Sequence, residues 1–284
     1  MHSESAVVFI TGAGKRVGAA LARDLHRRGY AIAVHYRSAK PEAEALAAAL
    51  NAERAGSCLL LQADLDDPAQ RDALIPQVIA QFGRLDVLIN NASSFSPTPI
   101  GDVTDAHWDA LFGSNARAPF FLSQAAAPFL RRQHGCIVNI ADIFGQTPKP
   151  RHTVYCMAKA ALIMMTRSLA LELAPDVRVN AIAPGAILWP ESGKPDAEKD
   201  AIVQATPLAR MGDVDDICQT AAWLIEQARF TTGQVIAVDG GRVVAVVRLV
   251  LRDIGRIDEE VIRGVLEGAE FERGLRRSAG DRDL

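Results

Sequence analysis

The chain has 284 residues, of which 49% are hydrophobic and 23% charged, a composition typical of one large α/β domain with a substantial core. The formal net charge is -3 with acidic and basic residues interleaved, so no basic field favours nucleic acid or an anionic membrane as a partner. The 4 cysteines lie far apart without a CxxC pair, which indicates free thiols in a reducing compartment, and we predict no metal site.

The N-terminal residues do not resemble a secretory signal, because they are polar and precede only a short apolar run. No apolar stretch reaches the ~18 residues that indicate a transmembrane helix. We therefore expect a cytoplasmic protein.

Short β-branched runs alternate with longer helical patterns from the first residues onward. In chain order the first half predicts strands and helices at residues 7–10, 18–29, 31–35, 41–53, 59–62, 70–82 and 87–90. The second half predicts helices or strands at residues 105–117, 119–133, 136–140, 154–173, 177–183, 214–226 and 235–238. This rhythm of βαβ units predicts an α/β fold: a single Rossmann domain with a doubly wound parallel sheet and helices on both faces.

Two segments do not follow the rhythm. Residues 184–195 hold 3 of the 14 prolines and predict a mobile loop over a pocket. The Rossmann domain is expected to span residues 1–242, followed by a C-terminal extension, residues 243–284, that is helical and then disordered. The extension is either an extra helix packed on the body or on a partner subunit, or a functional lid.

A glycine-rich turn follows the first strand and opens the first helix. It reads Gly12-x-Gly14-x-x-x-Gly18 and includes Lys15, Arg16 and Val17. Glycines let such a turn bring backbone N–H groups to a pyrophosphate, which also meets the positive end of the helix. The alternative is a tight strand-to-helix turn without a ligand.

The end of the second strand selects between the two nicotinamide cofactors. It reads His35-Tyr36-Arg37-Ser38, without the acidic side chain that binds the ribose 2′-hydroxyl of NAD. Arginine pairs instead with the 2′-phosphate of NADP, so the cofactor is predicted to be NADPH. A solvated surface arginine is the alternative.

Tyr155 and Lys159 stand four residues apart on the predicted helix 154–173, so both side chains project from one face. A tyrosine with a solution pKa of about 10 is a weak acid unless a neighbouring cation favours its phenolate, and Lys159 is predicted to be that cation. A chance pair on an amphipathic helix is the alternative.

Together the glycine turn, Asn90-Asn91-Ala92, the YxxxK pair and Asn180-Ala181-Ile182-Ala183-Pro184-Gly185 resemble the short-chain dehydrogenase/reductase family over about residues 6–242. The resemblance implies catalytic roles for Tyr155 and Lys159, with Asn115 holding a proton-relay water, and it implies a homotetramer built through the long helices. It also implies cofactor contacts from Asp64, Leu65, Asn91, Ala92, Ser93, Tyr155, Lys159, Pro184, Gly185 and Ile187. For Asp64, a helix cap is an equal alternative.

Three positions depart from the usual family pattern and resemble its pteridine reductases. Asp142 stands thirteen residues before Tyr155, where most members have serine, Arg16 replaces a glycine, and Ser93-Ser94-Phe95 replaces the end of NNAG. A carboxylate would repel the oxyanion of a ketone reaction and suits proton delivery to nitrogen.

The resemblance therefore implies NADPH-dependent reduction of a dihydropterin, with Asp142 assisting Tyr155. It places the substrate against Arg16, Ser93, Phe95, Asp142, Tyr155, Leu188 and Trp189. Trp189 either covers the pocket or packs beneath it. The alternatives are a carbonyl or 3-oxoacyl-thioester reductase and, from another class, a non-catalytic NADP-binding sensor or scaffold.

Overall fold

A computed structural model describes residues 5–189 and 193–245. Its strands are β1 (Val7–Ile10), β2 (Ala31–Tyr36), β3 (Cys58–Gln62), β4 (Val87–Asn90), β5 (Cys136–Ile140), β6 (Arg178–Pro184) and β7 (Val235–Val238). Its α-helices are α1 (Arg16–Arg27), α2 (Lys40–Glu53), α3 (Pro68–Asp72), α4 (Leu74–Phe82), α5 (Asp105–Phe112), α6 (Ala118–Gln133), α7 (Thr153–Glu172), α8 (Asp196–Gln204) and α9 (Val214–Glu226). A π-helical turn (Gly113–Arg117) joins α5 to α6, and a 3₁₀ turn (Ile143–Gly145) follows β5.

All seven strands form one parallel sheet in the order β3-β2-β1-β4-β5-β6-β7. The chain moves outward from β1 to β3 and then returns to place β4 on the other side of β1, where the register pairs Ile10 with Ile89. Such a reversal leaves a crevice at the carboxyl ends of the two strands, which is where ligands bind in open α/β sheets. The fold therefore positions a site beyond Ile10 and Asn90.

The sheet is covered on both faces, because alternate residues of each strand pack into different cores. Val7 and Phe9 of β1 pack with α4, α6 and α7. Val8 and Ile10 pack with α1, α2 and α9 on the opposite face. Strands that are buried on both faces consist of continuous apolar residues. This explains why β1 and β2 could be predicted from the sequence.

The doubly wound parallel Rossmann fold is confirmed. The predicted helix 70–82 is two helices, α3 and α4, and the predicted helix 105–117 becomes π-helical after Phe112. Helix α8 lies where no element was predicted; none of its residues is buried, so it carries no apolar stripe to reveal it.

The contacts within the chain divide it into two units, Met1–Gly241 and Arg242–Leu284. The predicted extension, residues 243–284, lies outside the described residues from position 246 onward. Among the described residues one helix, α7, is long and apolar enough to cross a membrane by length and composition. Half of its most apolar stretch is buried inside the protein, as in the core helix of a folded domain.

Candidate functional site

A cleft of about 530 Å³ lies over the carboxyl ends of the central strands. It brings together twenty of the predicted site residues: Gly12, Gly14, Lys15, Arg16, Val17, Gly18, His35, Tyr36, Arg37, Ser38, Asp64, Leu65, Asn91, Ala92, Ser93, Phe95, Asp142, Tyr155, Lys159 and Pro184. Five predicted residues are not among its lining: Asn115, Gly185, Ile187, Leu188 and Trp189. Six lining residues were not predicted: Ala39, Asp66, Ser94, Ser114, Ile140 and Ala141.

Two glycines of the turn have no room for a side chain. Gly12 has a φ of +62°, and a Cβ there would lie 2.9 Å from the Cα of Ala92. A Cβ on Gly18 would lie 2.5 Å from the carbonyl oxygen of Gly12. The turn therefore packs against its own backbone and exposes the first turn of α1, whose N-cap Lys15 makes no side-chain cap.

Arg16 begins α1 with a φ of +55°, in the left-handed region that favours glycine. Backbone strain of this kind costs on the order of 1 kcal/mol and persists where the surroundings require the side chain. Both terminal nitrogens of its guanidinium donate to the carbonyl oxygen of Trp189 at 3.2 Å. Arg16 thus links the turn to the loop after β6.

His35 was predicted to contact the cofactor. In the structure its side chain hydrogen-bonds the backbone of the glycine turn. Its side chain is buried, and its Nδ1 accepts a hydrogen bond from the backbone N–H of Gly12 at 3.0 Å. Nε2 must then carry the proton of the neutral ring, and it donates to the carbonyl oxygen of Ala63 at 3.1 Å. Burial lowers the pKa of His35 to about 4, which keeps this tautomer neutral.

The end of the cleft beside β2 contains the exposed Arg37 and Ser38. Asp64, predicted to lie near the adenine or to cap a helix, accepts a hydrogen bond from the backbone N–H of Asp66 at 3.0 Å. The N-cap of α3 is Asp67, which accepts from the N–H groups of Ala69 and Gln70, so the cap alternative for Asp64 is wrong.

At the other end of the cleft, Tyr155 and Lys159 project from the buried side of α7. The Oη of Tyr155 donates to Oδ2 of Asp142 at 2.7 Å. The other carboxylate oxygen, Oδ1, accepts from the backbone N–H of Phe144 at 2.8 Å and caps the 3₁₀ turn. The Nζ of Lys159 donates to the carbonyl oxygen of Ile140 at 3.0 Å. The fold therefore aims the carboxylate at the phenol.

Burial dominates the proton affinities of these three groups. It raises the pKa of the Asp142 carboxyl and lowers that of Lys159 to about 8. It also raises the pKa of Tyr155 well above its usual value, and the Asp142 charge raises it further. The net pKa of Tyr155 is raised, not lowered as the sequence led us to expect, because burial and the Asp142 carboxylate dominate it. Tyr155 is a neutral phenol hydrogen-bonded to a carboxylate.

Asn115 lies in the π-helical turn and is fully buried. Its Nδ2 donates to the carbonyl oxygens of Ser94 and Leu111, both at 2.9 Å. Its Oδ1 accepts from the hydroxyl of Ser93 at 2.7 Å. The side chain therefore fixes the segment after β4 that leads to Phe95, a role that the sequence did not indicate.

Phe95 forms an aromatic cluster at the mouth of the cleft. Its ring stacks on His152 with centroids 4.7 Å apart and an angle of 23° between the planes. The ring of Tyr155 meets it edge-on, with centroids 4.8 Å apart. Phe95 remains 53% exposed, so aromatic surface is available to a ligand. Sequence reasoning missed His152, which has no motif to mark it.

The loop after β6 contributes less to the cleft than predicted. Pro184 lines it, whereas Leu188 is 40% exposed and Trp189 is partly exposed. The contact of Trp189 with the site is through its backbone carbonyl and Arg16. Residues 190–192 of the predicted mobile loop lie outside the described residues.

Comparisons with known proteins match the chain to one family model and to several similar proteins. The family model described as enoyl-(acyl carrier protein) reductase matches residues 12–242. An uncharacterized oxidoreductase of Methylorubrum extorquens is 37% identical over 84% of this chain and 98% of its own length. Pteridine reductase 1 of Leishmania tarentolae is 36% identical over 83% of this chain and 95% of its own. The 3-oxoacyl-(acyl-carrier-protein) reductase of Staphylococcus aureus is also 36% identical, over 82% of this chain and 96% of its own.

Proposed function

The chain belongs to the short-chain dehydrogenase/reductase family of NAD(P)-dependent oxidoreductases, and from this premise we propose that it reduces dihydropterins to tetrahydropterins with NADPH. The observation that carries the proposal is the 2.7 Å hydrogen bond from Tyr155 to Asp142. Most family members have a neutral serine hydroxyl at the position of Asp142.

A carboxylate at this position disfavours ketone substrates. In ketone reduction negative charge develops on the substrate oxygen, and catalysis needs hydrogen-bond donors around it. Asp142 instead offers an acceptor, since Tyr155 and the N–H of Phe144 already donate to its two oxygens. A ring nitrogen that gains a proton suits this pair better than an oxyanion.

The residues of the cleft fit a dinucleotide phosphate. The glycine turn leaves no room for side chains, and it directs the first turn of α1 toward the cleft. Arg37 and Ser38 would hold the 2′-phosphate, which favours NADPH over NADH. NADPH when bound supplies the hydride.

Phe95 would orient the substrate. A flat pterin gains stacking energy of about 0.5–1.5 kcal/mol on an aromatic ring beyond the area that it buries. The exposed ring of Phe95, held by His152 and Tyr155, offers such a surface beside the phenol. Arg16 and Ser93 line the cleft and would hydrogen-bond the pterin or the cofactor phosphates.

Tyr155 would deliver the proton to the substrate nitrogen. Its high pKa keeps it protonated until the acceptor becomes basic, and the Asp142 carboxyl orients the hydroxyl. The cation of Lys159 stabilises the negative charge that the phenol oxygen then carries. General acid catalysis by a positioned group contributes typically ~10² to 10⁴-fold to the rate.

The second candidate is a 3-oxoacyl-thioester reductase. It is favoured by the Staphylococcus aureus relative, which is as similar in sequence as the pteridine reductase. The third candidate is a non-catalytic NADP-binding protein, and the buried Tyr155 and Lys159, which line the cleft together with Asp142, argue against it.

One experiment distinguishes the candidates. Oxidation of NADPH is followed side by side with dihydrobiopterin, dihydromonapterin, dihydrofolate and an acetoacetyl thioester. We expect kcat/KM to be highest for one of the dihydropterins. Faster turnover of the thioester contradicts the proposal, and cofactor binding without turnover of any of these compounds supports the non-catalytic reading.

We also propose a homotetramer assembled through the long helices. Large apolar side chains are exposed on α6 and α7: Phe120, Phe121, Met157, Met164 and Leu171. Exposed apolar surface on packed helices commonly marks contacts between subunits when it is contiguous. Sedimentation velocity should give the mass of four chains, and a monomer would contradict the assembly.

A further inference from the structure

Gln62, the last residue of β3, connects two consecutive residues at the end of β2. It lies opposite Tyr36 in the register of the two strands. The Oη of Tyr36 donates to its Oε1 at 3.3 Å, and its Nε2 donates to the carbonyl oxygen of Arg37 at 3.2 Å. One side-chain amide therefore bonds two residues that line the cleft.

The amide continues the pairing of the two strands where their backbone ladder ends. The N–H of Ala63, the residue after Gln62, donates to the carbonyl oxygen of Tyr36 at 3.1 Å. Arg37 lies beyond the end of β2, and its carbonyl oxygen accepts from the Gln62 side chain instead. Because a backbone outside regular structure is held only by the bonds that its own groups make, Gln62 fixes the base from which the Arg37 side chain extends.

The side chain of Arg37 depends on this base. It is exposed, and its guanidinium makes no hydrogen bond or ion pair with the residues that the structure describes. Such an arginine can pair with an anion, but its several rotatable bonds must then be ordered. A backbone that is already fixed reduces the freedom that remains to be lost on binding, and so strengthens the pairing.

We propose that Gln62 is a positioning residue for cofactor selection: it holds Arg37 and Tyr36 in place for the 2′-phosphate of NADPH and thereby raises the preference for NADPH over NADH. The inference rests on the proposed use of NADPH and extends it to a residue outside the lining of the cleft. Since Gln62 acts through Arg37, it affects the binding of the cofactor that carries the phosphate.

A neutral amide suits this position. It has an acceptor at one end and a donor at the other, so it satisfies a hydroxyl and a carbonyl at once. A carboxylate in its place could accept from Tyr36 but could not donate to Arg37, and its charge would repel a phosphate. A leucine side chain has a similar size and makes neither bond. Gln62→Leu therefore tests the two hydrogen bonds, and Gln62→Glu adds the effect of charge.

The test measures cofactor affinity in the full-length protein without any substrate. The Kd values for NADPH and NADH are measured by fluorescence titration in the parent, Gln62→Leu and Gln62→Glu, and their ratio is compared. General damage to the fold weakens both cofactors, whereas a displaced arginine weakens NADPH alone. The matched control is Gln77→Leu, the same substitution at an exposed glutamine of α4 whose amide bonds the carbonyl oxygen of Ala73.

We expect Gln62→Leu to raise the Kd for NADPH about three- to tenfold, as the loss of one or two hydrogen bonds implies, and to change that for NADH less than about twofold. Gln62→Glu should raise the Kd for NADPH further, and Gln77→Leu should change neither value. An unchanged ratio in Gln62→Leu, or equal weakening of both cofactors, overturns the inference.

A double-mutant cycle tests whether Gln62 acts through Arg37. Arg37→Ala should itself reduce the preference for NADPH, and Gln62→Leu added to it should reduce the preference little further. Fully additive effects overturn the inference, because the glutamine then acts independently of the arginine.

The failure of the inference differs from the failure of the proposed function. If the parent binds NADPH no more tightly than NADH, both the proposed cofactor and the inference are contradicted. If Arg37→Ala removes the preference and Gln62→Leu leaves it intact, the inference alone fails. If Gln62→Leu shifts the ratio but no dihydropterin is reduced, the proposed substrate is wrong while the role of Gln62 stands.

Discussion

Nδ1 of His35 accepts the backbone N–H of Gly12 at 3.0 Å, so the nucleotide turn is held in place by a neutral imidazole. The ring can hold this bond only while Nδ1 lacks a proton. The carbonyl oxygen of the same residue accepts from the N–H of Ala13 at 2.7 Å, which joins the turn to β2 a second time.

The first prediction concerns pH and stability. His35 has a pKa of about 4 in the folded chain and 6.5 as the reference, so the unfolded chain binds a proton between these values when the folded chain does not. Stability is therefore complete above about pH 6.5 and is lost as the pH falls towards 4, by about 3 kcal/mol in total.

Urea unfolding at pH 7.0 and at about pH 4.5 should show this loss, and His35→Asn, whose amide oxygen can accept from Gly12 without titrating, should reduce it. The control is His134→Asn, because His134 has an 80% exposed side chain and a left-handed φ that asparagine tolerates. An equal pH dependence in the parent and His35→Asn contradicts the argument.

The second prediction concerns the carboxylate. Asp142→Ser should lower kcat for dihydropterins by about 10²-fold, because the acceptor that orients the Tyr155 hydroxyl is lost. Asp142→Asn keeps the size of the side chain but removes its charge, so kcat for dihydropterins should fall nearly as much. Unchanged pterin turnover in Asp142→Ser together with efficient ketone reduction would assign the chain to the carbonyl reductases.

The third prediction follows from the buried lysine. Burial lowers the pKa of Lys159 to about 8, so its charge is present below that pH and is lost above it. If the cation stabilises the phenolate, kcat/KM should fall about tenfold per pH unit above pH 8. Lys159→Arg stays charged, so its kcat/KM should not fall above pH 8 in this way. Its kcat/KM should be lower than that of the parent at every pH. If kcat/KM of the arginine variant still falls above pH 8, a group other than Lys159 causes the fall.

The parts of the molecule that short sequence patterns specify were predictable. Strands such as Val7–Ile10 are buried along their whole length and read as apolar runs. Gly12 and Gly18 are required by close backbone contacts, and Tyr155 and Lys159 share a helix face at a spacing of four. Apart from the contact of Gly12 with Ala92, each of these features depends on residues that are close together in the chain.

Features that depend on tertiary contacts were not predictable. The stack of His152 on Phe95 joins positions 57 apart in the sequence, and no pattern links them. The π-helical turn that aims Asn115 at Ser93 has no sequence signal. The direction of the Tyr155 pKa follows from burial, which only the folded chain has. For the same reason the loop residues Leu188 and Trp189 were assigned to the lining of the cleft without the geometry to support it.

The fourth prediction separates an enzyme from a non-catalytic cofactor binder. Tyr155→Phe removes the proton donor but keeps the ring that packs against Phe95. Turnover should fall ~10² to 10⁴-fold while the Kd for NADPH, measured by fluorescence titration, stays within about twofold. A parallel loss of NADPH affinity would show that the ring has been displaced, and unchanged turnover would remove Tyr155 from the chemistry.

The fifth prediction concerns the choice of cofactor. Arg37 is exposed at the end of β2, where a guanidinium pairs with a 2′-phosphate and an aspartate would repel it. Arg37→Asp should raise the KM for NADPH at least tenfold and change that for NADH much less, because only NADPH carries the phosphate. Arg23→Asp, the same charge reversal at an exposed position on α1 outside the cleft, controls for the change in net charge. Equal effects of Arg37→Asp on the two cofactors would mean that this arginine is an ordinary surface cation.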